Sequence, residues 1–208
     1  MDKHDFRKAE RAFYTGKPGR WDRIALPEMT FLAIDGAGDP NGPGYAEALG
    51  ALYPLAYAIK FAEKAAGRDF AVPPLEALWW ADDPAAFVAN DRAAWRWRAL
   101  LRIPGTLDPG ALDVARATAR AKGRDGLLER VALIRLAEGD CLQTLHLGPY
   151  ADEAPVLAHL HDAVMPAAGL TFNGPHHEIY LSDPRRTAPE KLRTILRQPV
   201  TQIAAGPA

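Results

Sequence analysis

Two polar side chains, Glu178 and Tyr180, stand two residues apart in the strand-like sequence HHEIYLSDP. Alternate residues of a β-strand point to opposite faces of a sheet, so Glu178 and Tyr180 are predicted to share one face. Ile179 and Leu181 then share the other face, which we expect to pack against helices. A carboxylate on a partly apolar concave face binds a cationic group, accepts hydrogen bonds or acts as a general acid or base, because burying it alone costs several kcal/mol. The alternative is that Glu178 points into water from an exposed face.

Tryptophans are concentrated in two other strand-like segments, EALWWADD and WRWR; they are Trp79, Trp80, Trp95 and Trp97. Because neighbouring strand residues face opposite ways, Trp79 and Trp80 offer an indole to each face. Rings at Trp79, Trp80 and Trp97 are predicted to form flat walls around an aromatic ligand. The alternative is that individual tryptophans fill the core between a sheet and its helices.

Tyr150 and Glu153 lie in the phrase HLGPYADE, between a strand-like segment and a helix-like one. Tyr150 is predicted to add another wall to the ligand site. Glu153 is a further candidate for that site, but its position in the first turn of a helix is more typical of an exposed residue that interacts with the helix dipole.

The histidines do not predict a metal site. His176 and His177 are consecutive strand residues whose side chains diverge, and His159 and His161 lie on roughly opposite sides of a helix. The sequence contains no phosphate loop, dinucleotide fingerprint or nucleophile elbow. We therefore expect no metal and no nucleotide cofactor, and Cys141 is predicted to be a small apolar strand residue.

Charge and composition exclude several classes of protein. The 208 residues carry 25 Lys and Arg against 26 Asp and Glu, a formal net charge of −1, which argues against a nucleic-acid partner. A single cysteine excludes an internal disulfide and fits a reducing compartment. The N-terminal segment is charged and no apolar run approaches the roughly 18 residues of a membrane span, so we expect a cytoplasmic protein without a membrane partner.

The order of predicted elements repeats along the chain. The first set is a strand at 23–35, a helix at 45–66 that Pro54 kinks or divides and Gly67 ends, and strands in FAVPPLEALWWA and AAWRWRALLRIP. A linking helix at 108–123 precedes the second set, which consists of strands in LLERVALIRL and DCLQTLHLGPY, a helix in DEAPVLAHLHDAVMPAAG, and strands in HHEIYLSDP and KLRTILRQPV. WRALLRIP at 97–104 also aligns with LRTILRQP at 192–199, with identical arginines, leucine and proline.

This repetition predicts a duplication rather than a chance similarity. The predicted fold is α/β (α+β): two strand-helix-strand-strand modules that form a pseudo-twofold antiparallel sheet with helices on one face and a central ligand cleft. Residues 1–22 are predicted to be a lead-in, 23–107 the first module and 108–208 the second.

Several phrases of the sequence resemble the stand-alone GyrI-like proteins, which are built from two tandem SHS2 modules. The similarity covers about Phe31 to Val200 and includes FLAIDGAGDPN, LYPLAYAIKF, PPLEALWW, WRWRALLRIP, LHLGPYADE and HHEIYLSDPRRTAPEKLRTILRQPV. The resemblance implies duplicated modules with a ligand cleft between them. It also implies a bulky, aromatic or cationic small-molecule ligand, without a DNA-binding helix attached.

The resemblance further implies an activity. Some stand-alone members are cyclopropanoid hydrolases, which open the strained cyclopropane of DNA-alkylating natural products by adding water and so protect the cell. The glutamate and tyrosine of the family's HHEIYLSDP phrase match Glu178 and Tyr180, which are therefore the implied catalytic residues. The family's paired tryptophans match Trp79 and Trp80, while Ala77 stands where a glycine is expected.

In the implied mechanism, Glu178 holds or deprotonates a water aimed at the ring methylene. A hydrogen-bond donor, with Tyr180, Tyr150 or His177 as candidates, stabilises the charge that grows on the distant carbonyl oxygen. The alternative is a non-catalytic protein that sequesters or senses aromatic compounds with the same residues. A third and weaker option is a protein partner such as gyrase, implied only by the family name. The oligomeric state stays open.

Overall fold

A computed structural model describes residues 3–204, apart from the side chain of Val88. Residues 1–2 and 205–208, at the ends of the predicted lead-in and second module, lie outside the described residues. The strands are β1 (Asp22–Leu26), β2 (Met29–Ala37), β3 (Glu76–Ala81), β4 (Trp95–Arg102), β5 (Ala132–Leu136), β6 (Gly139–Leu147), β7 (Leu170–Phe172), β8 (His176–Tyr180) and β9 (Arg193–Gln202). The α-helices are α1 (Phe6–Ala9), α2 (Pro43–Ala65), α3 (Ala85–Val88), α4 (Ala111–Ala121), α5 (Ala154–His159) and α6 (Met165–Ala167), and a π-helical turn (Leu160–Val164) joins the last two.

The architecture confirms the predicted α+β fold, and the strand pairs within each compact unit run antiparallel. The predicted order of strand, helix, strand and strand occurs as β2, α2, β3 and β4, and again as β6, α5 to α6, β8 and β9. None of the helices among residues 3–204 combines the length and apolar character needed to cross a bilayer.

The described chain divides into two compact units, of which the first contains the residues up to Glu10 and Met29–Leu136. Its strands follow the order β3, β4, β2, β5. Helix α2 packs against β2 and β4, and it buries Leu52, Leu55 and Ile59 at helical spacing. The helix continues through Pro54 without being divided, and Gly67 follows its end with a φ of 83°.

The second unit contains Arg11–Glu28 and the described residues from Ala137 onward. Its strands follow the order β1, β6, β9, β8, and β7 also pairs with β9. On one sheet face, Leu142 and Val200 pack with Leu160 and Met165 of the helical segment. This hydrophobic cluster fixes the α5 to α6 segment over the face that carries the candidate site.

The edge strands β1 and β5 do not pair with their neighbours in sequence. β1 is separated from β2 by two residues but pairs with β6, and β5 is separated from β6 by two residues but pairs with β2. Two-residue hairpins favour Asn-Gly or similar pairs with positive φ, and neither Pro27-Glu28 nor Ala137-Glu138 is of this type. The compact units therefore have different boundaries from the modules predicted at 23–107 and 108–208.

Candidate functional site

Glu178 and Tyr180 share one face of the second unit's sheet. They pair with Leu196 and Thr194 of β9, which alternate along that strand in the same way. The Glu178 side chain is only 14 % exposed, so it does not extend from an open sheet face into water. The spacing of these two residues in β8 therefore predicts their common face correctly.

The face on which the helices lie differs from the expectation. Glu178 and Leu142 lie on the same face, because their partners on β9 are two residues apart. Leu142 packs against Leu160 and Met165, so the helical segment covers the Glu178 face. The expectation that Ile179 faces the helices is wrong, because a polar face with a local apolar cluster can also carry a helical segment.

The opposite face, which carries Ile179, is covered by the 3-10 helix Arg11–Tyr14. Gln143 donates hydrogen bonds from Nε2 to the backbone carbonyls of Ala12 and Thr15 at 3.1 Å and 2.7 Å. Arg197 donates from Nη2 to the carbonyl of Phe13 at 2.6 Å. Part of the predicted lead-in therefore has a structural role in this unit.

Glu153 is a buried member of the site, although its helix position favoured exposure. The residue immediately precedes α5 and is 5 % exposed. Burial, followed by the charge of Glu178, raises the pKa of Glu153 to about 10, and the neighbouring Thr194 hydroxyl opposes this rise. Glu153 is therefore a neutral carboxylic acid near pH 7, close to the carboxyl group of Glu178. Glu153 also lies in LHLGPYADE, one of the segments that resemble the family, and this resemblance was evidence for a place in the site that its helix position did not provide.

Two tyrosine rings complete the acidic cluster. Tyr150 and Tyr180 meet edge to face, with their ring centroids 5.5 Å apart. Burial, then the charges of Glu153, Glu178 and Asp183, raise the pKa of Tyr150 to about 12, so its phenol keeps its proton. The structure thus brings together the predicted residues Glu178, Tyr180 and Tyr150, with Glu153 as an added member.

His177 lies away from these residues, on the face that carries Ile179. Its ring is fully buried and its Nδ1 is 2.9 Å from Glu138 Oε1. Arg197 Nη1 donates to the other oxygen of Glu138 at 3.3 Å. Burial would raise the pKa of Glu138, but the charges and hydrogen bonds of His177 and Arg197 outweigh it and lower that pKa. This network holds His177 within the buried structure, and a role for His177 in ligand binding stays a prediction.

The predicted tryptophans belong to the first unit, where two of them face α2. Trp79 and Trp97 are directly opposite one another on β3 and β4. The Tyr45 ring of α2 stacks on Trp79 at 5.9 Å and meets Trp97 edge to face at 4.8 Å. Trp79 is 6 % exposed and Trp97 2 % exposed, whereas Trp80 points to the other face and is partly exposed. Trp79 and Trp97 therefore pack against α2.

Metal-binding geometry does not occur among residues 3–204, where no three His, Cys, Asp or Glu side chains are grouped to hold an ion. The thiol of Cys141 is fully buried. Burial, with the nearby charge of Glu138, raises its pKa to about 12. The thiol therefore has no thiolate character for nucleophilic chemistry near pH 7.

This chain is similar to one family model and to several solved structures. Residues 24–201 match the model of the GyrI-like small molecule binding domain. A conserved, uncharacterised Listeria innocua protein is 43 % identical with a TM-score of 0.88, the match covering 96 % of this chain and all of that one. A structure described as a hydrolase from Listeria innocua is 42 % identical with a TM-score of 0.84 and the same coverage. No curated protein matches the chain.

Proposed function

This chain belongs to the GyrI-like small-molecule-binding family, and we propose that it binds bulky aromatic compounds and hydrolyses those that contain a strained cyclopropane. The observation that carries this proposal is the buried carboxyl group of Glu153, which lies close to the carboxyl group of Glu178. Burial and the charge of Glu178 keep Glu153 protonated. A base and an acid at one site are what water addition with charge transfer to a carbonyl requires. The relative described as a hydrolase supports the reaction class.

Ring opening can be written with these groups alone. Glu178 takes a proton from water while the water oxygen bonds to the cyclopropane methylene. The carbon–carbon bond breaks, and its electron pair moves through the conjugated ring to the dienone carbonyl oxygen. Glu153 gives its proton to that oxygen, so the product is a phenol that has gained one water. A general base contributes about 10²- to 10⁴-fold and a placed donor about 10²- to 10³-fold to such a step.

The aromatic residues supply the binding surface in this proposal. Tyr150 is 38 % exposed and meets Tyr180 edge to face, which leaves ring surface available to a flat ligand. The protonated Tyr150 phenol is also a hydrogen-bond donor for the ligand's carbonyl. Roles for Trp79, Trp80 and Trp97 in ligand binding stay predictions, with Trp80 the one whose ring is partly exposed.

The test is to incubate purified protein with a cyclopropane-bearing alkylating agent and to follow the ring-opened product by mass. We expect Glu178→Gln to keep ligand affinity and to lose about 10²- to 10⁴-fold in turnover, because the amide cannot take a proton. Glu190→Gln, at an exposed position of the same unit, is the matched control and should leave turnover unchanged.

Non-catalytic binding is the second candidate function, favoured by the family description as a small molecule binding domain. Under this alternative, wild-type protein and Glu178→Gln bind the compound to a similar extent and neither forms the ring-opened product. That result would replace the hydrolase proposal with a sequestering or sensing role.

A further inference from the structure

His176 lies beside Glu178 and takes no part in the ring-opening steps described above. The two residues are separated by one position in β8, so they share the sheet face that the helical segment covers. His176 Nε2 is 3.6 Å from Glu178 Oε1, and each side chain is 14 % exposed. This separation is too long for a direct hydrogen bond, but both atoms can contact one water molecule.

Buried ring nitrogens near Glu178 lack protein partners. Among the described residues, three buried ring nitrogens have no hydrogen-bond partner: Nδ1 and Nε2 of His176, and Nε2 of His161. Leaving a buried polar atom unsatisfied costs about 1–3 kcal/mol. Such atoms are therefore expected to bind water or a ligand.

His161 is the second histidine of this group. It lies in the π-helical turn Leu160–Val164, and such turns are frequent at functional sites. Its ring meets Phe172 at a centroid distance of 4.9 Å and an angle of 68°. Burial, followed by the proximity of His176, lowers the pKa of His161, which Asp162 only partly opposes. His161 is therefore a neutral neighbour that adds no positive charge beside His176.

We propose that His176 is a positioning residue that donates a hydrogen bond from Nε2 to the water that Glu178 deprotonates. The water accepts this bond, donates one proton to Glu178 Oε1 and keeps a lone pair free to attack the ring methylene. The nearby carboxylate favours the tautomer that carries its proton on Nε2, the nitrogen closer to Glu178. This inference rests on the proposed hydrolytic function, because it assigns the geometry of that reaction's water.

The kinetic test separates positioning from binding. His176→Phe keeps an aromatic ring but removes the N–H, so we expect kcat to fall about 10- to 100-fold with KM within about twofold of wild type. His176→Gln restores an amide N–H and should recover part of kcat. His159→Phe, at an exposed position of α5 in the same unit, is the control and should match wild type. Unchanged kcat in His176→Phe, or KM rising while kcat is kept, overturns the inference.

The tautomer provides a test that does not depend on turnover. In ¹⁵N NMR spectra of the full chain, we expect the neutral His176 ring to carry its proton on Nε2. Glu178→Gln should shift the His176 ring signals, whereas Glu190→Gln should not. A proton on Nδ1 overturns the inference even if the protein is a hydrolase. If wild-type protein forms no product, the proposed function fails, while the NMR result still supports or rejects the contact between His176 and Glu178.

Discussion

Glu153 and Glu178 are the same kind of side chain in the same unit, yet their surroundings assign them different chemistry. Glu153 is 5 % exposed, and an ionised form would lie close to a second carboxylate. Its pKa of about 10 follows from burial first and from the charge of Glu178 second. Separation of protonation states by environment is how an acid and a base can coexist at neutral pH.

Glu153→Gln tests this assignment through stability. The folded state keeps a proton that the unfolded chain releases above its ordinary pKa of 4.5, so wild-type stability falls as the pH rises toward about 10. The amide does not titrate. We expect the free energy of unfolding of wild type to fall relative to Glu153→Gln, by at most about 1.4 kcal/mol per pH unit. Urea denaturation of both proteins at roughly pH 6 to 9 measures the difference.

Asp152→Asn is the control for this experiment, because Asp152 is the exposed neighbour of Glu153. It should follow the wild-type pH dependence. Parallel stability curves for wild type and Glu153→Gln would show that Glu153 is ionised in the folded protein, and the acid role would be lost.

At the scale of the elements, sequence periodicity predicted the helix and the faces of a strand better than it predicted which strands pair or which segment packs on a sheet face. The helix predicted at 45–66 occurs as Pro43–Ala65, and the two-residue spacing in β8 gave the common face of Glu178 and Tyr180. The covering of that face was predicted wrongly, because alternation in one strand does not say which segment packs on either side. Glu153 was a candidate for the site, but its burial was not predicted, because burial comes from tertiary contacts that a position in the first turn of a helix does not reveal.

Packing of Trp97 against β2 gives a prediction for one pair of glycines. A Cβ at Gly36 would overlap the Trp97 ring, whereas a Cβ at Gly50, inside α2, would meet nothing within 4 Å. We expect Gly36→Ala to lower the free energy of unfolding by about 1–3 kcal/mol through overpacking. Gly50→Ala should raise it by about 0.5–1 kcal/mol through helix propensity. Urea denaturation distinguishes the two, and equal effects would contradict the packing of Trp97 over Gly36.

At the scale of the whole molecule, the duplicated order of elements was predictable, but the exchange of edge strands was not. The repeat appears in sequence because both sets keep the same periodicities and a matching final strand. The partners of β1 and β5 depend on pairing between residues more than 100 positions apart, such as Ile24 with Cys141 and Phe31 with Ile134. The two-residue connections suggested that strands adjacent in sequence would pair with each other. The evidence against such a hairpin was that Pro27-Glu28 is not a residue pair that two-residue hairpin turns favour.

Proline substitutions in the edge strands test this exchange. Because alternate N–H groups of an edge strand enter the ladder, Leu133→Pro and Ile134→Pro together sample both orientations in β5. One of them should increase amide exchange several-fold in β2, at Met29–Ala37, with β6 unchanged. Conversely, Ile24→Pro or Ala25→Pro in β1 should deprotect β6, at Gly139–Leu147, and leave β2 protected. Hydrogen exchange measured by mass spectrometry reports both. Local hairpins would reverse the pattern, so deprotection of β6 by the β5 prolines would reject the exchanged pairing and the unit boundaries drawn from it.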